Sequence, residues 1–118
     1  LLSIGTEFVV AGLDSIPNPD DRARIGARLA ESGREIVAID PHQVAEFAGN
    51  GLELAGRQGR IFALSTRAVA ALRPDQIATI EHSTRIVAVA IPTIERSGGS
   101  LRCMLAGIHL PPRRTPAV

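Results

Sequence analysis

One side chain here can act as a strong nucleophile near neutral pH: the thiol of Cys103, the sole cysteine of the chain. It follows the run Ser97-Gly98-Gly99-Ser100-Leu101-Arg102 and heads the apolar stretch Met104-Leu105-Ala106-Gly107-Ile108-His109-Leu110. A thiolate adds readily to an electrophilic carbon, and a Gly-Gly turn lets a substrate come close to the backbone beside it. A free cysteine in an apolar run is equally an ordinary buried core residue. Both readings stand on residue type alone.

A nucleophilic thiol needs a base or a positive field. Read as part of a strand, Cys103 has Arg102 pointing to the opposite face. His109, six residues on, shares the face of Cys103 but lies roughly 20 Å away at ~3.3 Å per residue, too far to pair within one straight strand. His82 falls in a late helical turn and His42 in a first turn, and both read as solvent-facing. Asp14, Asp40 and Glu53 sit at strand ends or within strands, where a carboxylate can face a cleft but is ordinarily solvated. The chain has no Walker loop, GxGxxG, GxSxG or paired Cys/His spacing. Residue chemistry by itself therefore yields one nucleophile and no base. It calls for no cofactor, and one cysteine does not make a structural metal site.

The elements that position these groups follow from apolar patterning. Strands are expected at Leu1 to Ile4 and Glu7 to Leu13, then a helix capped by Asn18 with Pro19 at its first position, Asp20 and Asp21 at its positive end, and Gly33 after its end. Glu35 to Ile39 reads as a strand covered on both faces. Asp40 caps a short helix begun by Pro41, which gives way to Ala48-Gly49-Asn50-Gly51, where the two glycines and Asn50 are expected to supply positive φ. Strands follow at Leu52 to Leu54 and Ile61 to Leu64, and Ser65 or Thr66 caps a helix through Leu72. Another helix opens at Arg73-Pro74-Asp75. Ile86 to Ile91 reads as a buried strand, then a loop with Gly98-Gly99, then the strand holding Cys103. Residues 113–118 read as a frayed tail.

At 118 residues with 45% hydrophobic content, the chain is one domain with enough apolar material for a core. Thirteen basic and twelve acidic side chains leave no electrostatic footprint for nucleic acid or a membrane surface. The absence of Trp and Tyr leaves little for bases to stack on. No apolar run approaches the ~20 residues of a spanning helix. A single cysteine points to a reducing, cytoplasmic setting. The opening Leu1-Leu2-Ser3-Ile4, mid-strand and without Met, reads as the start of a fragment.

The elements repeat. Phe8 aligns with Phe62, Pro19-Asp20 with Pro74-Asp75, Glu35-Ile36-Val37-Ala38 with Arg85-Ile86-Val87-Ala88, and Gly49-Asn50-Gly51-Leu52 with Gly98-Gly99-Ser100-Leu101. The period is roughly 50 residues, in the range of arrays and propellers. It divides the chain into units of roughly 1–56 and 57–112.

The order Phe47-Ala48-Gly49-Asn50-Gly51-Leu52-Glu53-Leu54, Ala63-Leu64-Ser65-Thr66-Arg67-Ala68, Ile91-Pro92-Thr93-Ile94-Glu95 and Gly98-Gly99-Ser100-Leu101-Arg102-Cys103-Met104-Leu105-Ala106 resembles the C-terminal part of the arginine deiminase and amidinotransferase superfamily, with its closest likeness to the citrulline-hydrolase-like members. The likeness runs from Leu1 to about Pro111, and Gly-Gly-x-x-Arg-Cys-Met is its most specific part. The resemblance implies an α/β fold: a partial α/β propeller of the pentein type, about two of its five ββαβ units, with the site in the central channel. It also implies that Cys103 attacks the central carbon of a guanidino or ureido group, that an amine leaves, and that water hydrolyses the thiol adduct.

The superfamily's general acid/base His would come from an earlier unit, a few positions ahead of the strand matching Leu1 to Gly5, and none of His42, His82 or His109 occupies that position. Asn50 matches the Gly-Asn loop and is a candidate to line the channel and bind substrate, against the plainer role of a turn-former. The expected partner is a small guanidino or ureido amino acid. The 118 residues alone are expected to be inactive. Amidino transfer with the same nucleophile is one alternative. The other is a non-catalytic assembly module that self-associates through open sheet edges at Leu2 to Ile4 and Ile61 to Leu64.

Overall fold

The computed structural model of the chain describes residues 1–107, and proline opens four of the five helices found among them. Proline's fixed φ suits the first helical position, where no backbone N–H is needed. The helices are α1 (Pro19–Glu31), α2 (Pro41–Ala45), α3 (Thr66–Ala71), α4 (Pro74–Glu81) and α5 (Pro92–Arg96). Asn18 Oδ1 accepts from the N–H groups of Asp20 at 2.8 Å and Asp21 at 3.3 Å, which fixes the start of α1. Asp40 and Gln43 bond reciprocally at the head of α2. Ser65 caps α3 through the N–H of Ala68 at 3.0 Å. Helix α5 stands where the sequence reads as a loop. Its Pro92 carries the same signal as the other prolines, but Ile91 before it offers no capping side chain.

The strands are β1 (Leu2–Ile4), β2 (Phe8–Ala11), β3 (Glu35–Ala38), β4 (Leu52–Gly56), β5 (Gly59–Ser65) and β6 (Arg85–Val89). They form two three-stranded sheets, β1-β2-β3 and β4-β5-β6, of one topology: the first strand runs antiparallel to the middle one and the third runs parallel to it. This small α/β arrangement is consistent with part of a pentein; a closed propeller is not seen among the described residues.

The registers correct the sequence alignment of the repeat. Phe8 pairs with Glu35 and Phe62 with Ile86, so Glu35 answers to Ile86 and not to Arg85. The loops shift too. Positive φ falls at Phe47 (64°) and at Gly98 (88°), each six residues after its helix-opening proline, Pro41 or Pro92. Gly98 therefore answers to Phe47 and not to Gly49. Gly49, Asn50 and Gly51 do not have positive φ, contrary to expectation. Gly51 is required for another reason: a Cβ there would run into the Phe62 ring and Leu64.

Phe8 and Phe62 meet edge to face at the centre of the core, with ring centroids 5.0 Å apart. Val10, Val37, Ile39, Leu64, Leu72 and Ile80 pack around them, so one apolar cluster serves both sheets. Strands β2 and β5 are central; β2 is buried throughout and β5 from Phe62 to Ser65. The expectations that β3 is covered on both faces and that β6 is buried do not hold. Each ends its sheet, and Glu35, Ala38, Arg85, Ala88 and Val89 are exposed. Of the two segments expected as open edges, β1 is at an edge, whereas Ile61 to Leu64 lies in β5 and is paired on both sides. No helix among the described residues is long and apolar enough to cross a membrane. The expected tail at 113–118 lies outside the described residues.

Candidate active site

Cys103 lies on a short 3-10 helix, Leu101–Met104, and not on a strand. The chain reverses at Gly98, passes through the buried Ser100 in extended conformation, and turns so that Leu101 alone of the 3-10 helix is buried. Leu105 N–H returns to the Arg102 carbonyl at 3.1 Å and has no ladder partner among the described residues, and Met104 and Leu105 are exposed. Within the described residues, the apolar run after Gly99 is thus spent on a turn with a single anchor. Cys103 is exposed, which removes the buried-core reading of the thiol. The strand-based placement of Arg102 and the ~20 Å separation from His109 lose their premise. His109 lies outside the described residues.

Asn50 is brought to the sulfur from 53 positions earlier in the chain. Its Nδ2 donates to Cys103 Sγ at 3.1 Å, and its Oδ1 accepts from the Arg102 N–H at 2.9 Å. Strand β1 holds both parties. Ser3 Oγ, fully buried, donates to the Gly49 carbonyl at 2.8 Å and accepts from the Gly51 N–H at 3.0 Å, bracketing Asn50. Next to it, the Leu2 carbonyl accepts from Arg102 Nη1 at 2.6 Å. Behind the turn, Ser100 Oγ donates to Glu95 Oε1 at 3.2 Å. The thiol is held below its ordinary pKa, first by the Asn50 amide and then by the Ser100 backbone, with a smaller push from the Arg102 charge; burial opposes these.

Among the described residues, none of the other candidates hydrogen-bonds Cys103, and the three carboxylates are engaged elsewhere. Asp14 pairs with Arg22 at 3.5 Å and Asp40 caps α2. The Glu53 carboxylate takes the Thr6 N–H at 2.9 Å and the Thr6 hydroxyl at 2.5 Å, tying β4 to the β1–β2 turn. His42 is exposed in the first turn of α2 and His82 is exposed at the end of α4. Sequence reasoning missed Ser3 altogether. Its one visible signal is a hydroxyl inside the apolar run Leu1-Leu2-Ser3-Ile4.

Glu95 also lines an open depression of about 500 Å³ with Thr66, Arg67, Ala90, Pro92 and Arg96. Arg67 there sits 5.3 Å over the Phe47 ring and is paired with Glu46. A depression of similar volume along α1, lined by Arg24, Ile25, Arg28 and Leu29, holds no nucleophile. No group of three or more His, Cys, Asp or Glu residues able to hold a metal ion occurs among the described residues.

Residues 1–110 match the family model of N,N dimethylarginine dimethylhydrolase, eukaryotic. The chain belongs to that family. The dimethylarginine dimethylhydrolases lie within the pentein and amidinotransferase superfamily, so the motif resemblance and the family match agree at that level. The family's chemistry is hydrolysis at guanidino C–N bonds. No curated protein and no solved structure matches the chain.

Proposed function

We propose that Cys103 is the nucleophile of a hydrolase acting on a guanidino carbon, with an N-methylated arginine as substrate. The observation that carries this is the exposed thiol held by the Asn50 amide at 3.1 Å, in a chain that matches dimethylarginine dimethylhydrolases over residues 1–110. The thiolate adds to the guanidinium carbon, forming an S–C bond as the C=N electron pair moves onto nitrogen. The dimethylamino nitrogen takes a proton and leaves as dimethylamine. Water then adds to the remaining thiouronium carbon, the S–C bond breaks, and citrulline departs with the thiolate restored.

The proton for the leaving amine needs an acid, and the Asn50 amide is not one. On this reading it is the superfamily His placed ahead of the strand matching Leu1 to Gly5, and the 118 residues alone form the thiol half of a site without turnover. Assay of N,N-dimethylarginine with the full protein should give citrulline and dimethylamine in a Cys103-dependent manner. Turnover that survives Cys103→Ala would overturn the nucleophile, and robust turnover by the 118 residues alone would overturn the half-site. Amidino transfer would show instead as a guanidino product on an added amine.

A second reading is assembly through open sheet edges. It is favoured by β1 and β6, each paired on one side only among the described residues, with Ile4 57% and Val89 37% exposed. Sedimentation of a strictly monomeric species across concentration would remove it.

A further inference from the structure

We infer that Asn50 is a positioning residue for the thiol, clamped by Ser3 and Arg102 so that its NH₂ end faces Cys103 and holds the sulfur as an acceptor. This differs from a substrate-binding role for Asn50, and it rests on the reading of Cys103 as nucleophile.

Three observations carry it. First, the orientation of the amide is fixed by chemistry. The Arg102 backbone N–H can only donate, so the atom facing it at 2.9 Å must be the Asn50 oxygen, which turns the NH₂ toward Sγ. An NH₂ can only donate, so the sulfur must accept, and a thiolate accepts far better than a thiol. Second, the ordinary reason for Asn in a Gly-Asn-Gly loop is absent, because Asn50 does not have positive φ. Third, the loop cannot drift. Ser3 Oγ brackets it at Gly49 and Gly51, and Gly51 lies against Phe62 and Leu64. The Leu2 carbonyl ties Arg102 to the same strand.

Among the described residues, the charged groups around the turn leave Asn50 as the main support for the thiolate. Arg102 acts in the same sense but more weakly. Glu95 on α5 is engaged by the Ser100 hydroxyl. Strand β5, which packs against the turn, carries only Arg60, which faces Glu7 and Glu53, the latter the one charged residue of β4.

The test is an ultraviolet titration of the thiolate. It is made on the 118-residue chain, in which Cys103 is the sole cysteine and there is no Trp or Tyr to absorb beside it. The wild-type midpoint is compared with that of a short peptide carrying Leu-Arg-Cys-Met, which retains the local Arg and lacks Asn50. Asn50→Asp is measured beside it: it retains an oxygen for the Arg102 N–H, loses the donor and adds a negative charge. The midpoint in the protein should lie below that of the peptide. Asn50→Asp should raise it by about one unit or more, which is about tenfold less thiolate at neutral pH. Equal midpoints for protein and peptide, or an unshifted midpoint in a folded Asn50→Asp variant, would overturn the inference. Should Asn50→Asp fail to fold, Asn50→Ala, which removes the amide donor, takes its place, and an unshifted midpoint in that variant overturns the inference. The result is separable from the proposed function, because turnover that persists in Cys103→Ala would sink the function and leave the titration untouched.

Discussion

The Leu2 carbonyl and the Arg102 guanidinium meet at 2.6 Å across a sequence separation of 100 residues, so the first strand of the chain holds the turn that carries the thiol. Because Ser3, the next residue, holds the Asn50 loop, consecutive positions of β1 set the distance between sulfur and amide. Arg102→Ala should loosen this turn without unfolding the protein. Loss of one exposed hydrogen bond contributes about 1 kcal/mol or less, a factor of about five in local opening. Amide exchange at Cys103 should quicken by up to that factor, with the urea midpoint unchanged. Unaltered exchange would mean that the bond to Leu2 does not restrain the turn.

Ser3→Ala should be more costly. It leaves the Gly51 N–H and the Gly49 carbonyl unpaired in a buried place, and each orphaned group costs about 1–3 kcal/mol. Urea unfolding should show a loss of about 2 kcal/mol or more, and the Cys103 thiol midpoint should rise as Asn50 gains freedom. A loss below about 0.5 kcal/mol would show that water replaces the hydroxyl and that the clamp is not structural.

The helix starts were legible because their signals are local: Asn18-Pro19, Asp40-Pro41, Ser65 and Pro74 each act through bonds two or three residues away. The repeat was legible in outline, yet its loop alignment slipped because glycines were matched to glycines. The structure puts the left-handed conformation on Phe47 and Gly98 instead. Cys103 as a residue to examine was legible from its type. Its surroundings were not. An apolar run longer than four residues reads as a strand, but only Leu101 of that run is buried in the described part. The contact between Asn50 and Cys103 depends on Ser3, some 47 residues before Asn50, and no local pattern encodes a bracket of that span.

The ion pair of Glu46 with Arg67 predicts a weak acid sensitivity. Hydrogen bonding to Arg67 holds the Glu46 carboxyl below its ordinary pKa, with further help from the Arg67 and His42 charges. A carboxyl depressed on folding adds stability above its unfolded pKa and loses it as pH falls through the folded value. Both side chains are solvent-facing, so the effect is small. The drop in urea midpoint between neutral pH and about pH 3 should be slightly smaller in Glu46→Gln than in wild type. An equal drop would leave the pair without a role in stability.

The strongest coupling in the fold should lie between Gln43 and Gln76, two nearly fully buried amides at the heads of α2 and α4. Gln43 Nε2 donates to Gln76 Oε1 at 2.7 Å and to the Ala71 carbonyl at 2.8 Å, and Gln76 Nε2 donates to the Ala38 carbonyl at 2.6 Å and to Gln43 Oε1 at 3.1 Å. Each amide also takes the N–H of its own cap residue, Asp40 or Arg73. Replacing one with Leu strands its partner and two backbone groups, at about 2–4 kcal/mol in sum. Replacing both removes the mutual amide contacts, so the double variant should be destabilised by less than the sum of the singles, by about 1–2 kcal/mol. Chemical denaturation of the four proteins measures this directly. Strict additivity would show that the two glutamines serve only their own helix caps and do not join the two sheets' helices into one unit.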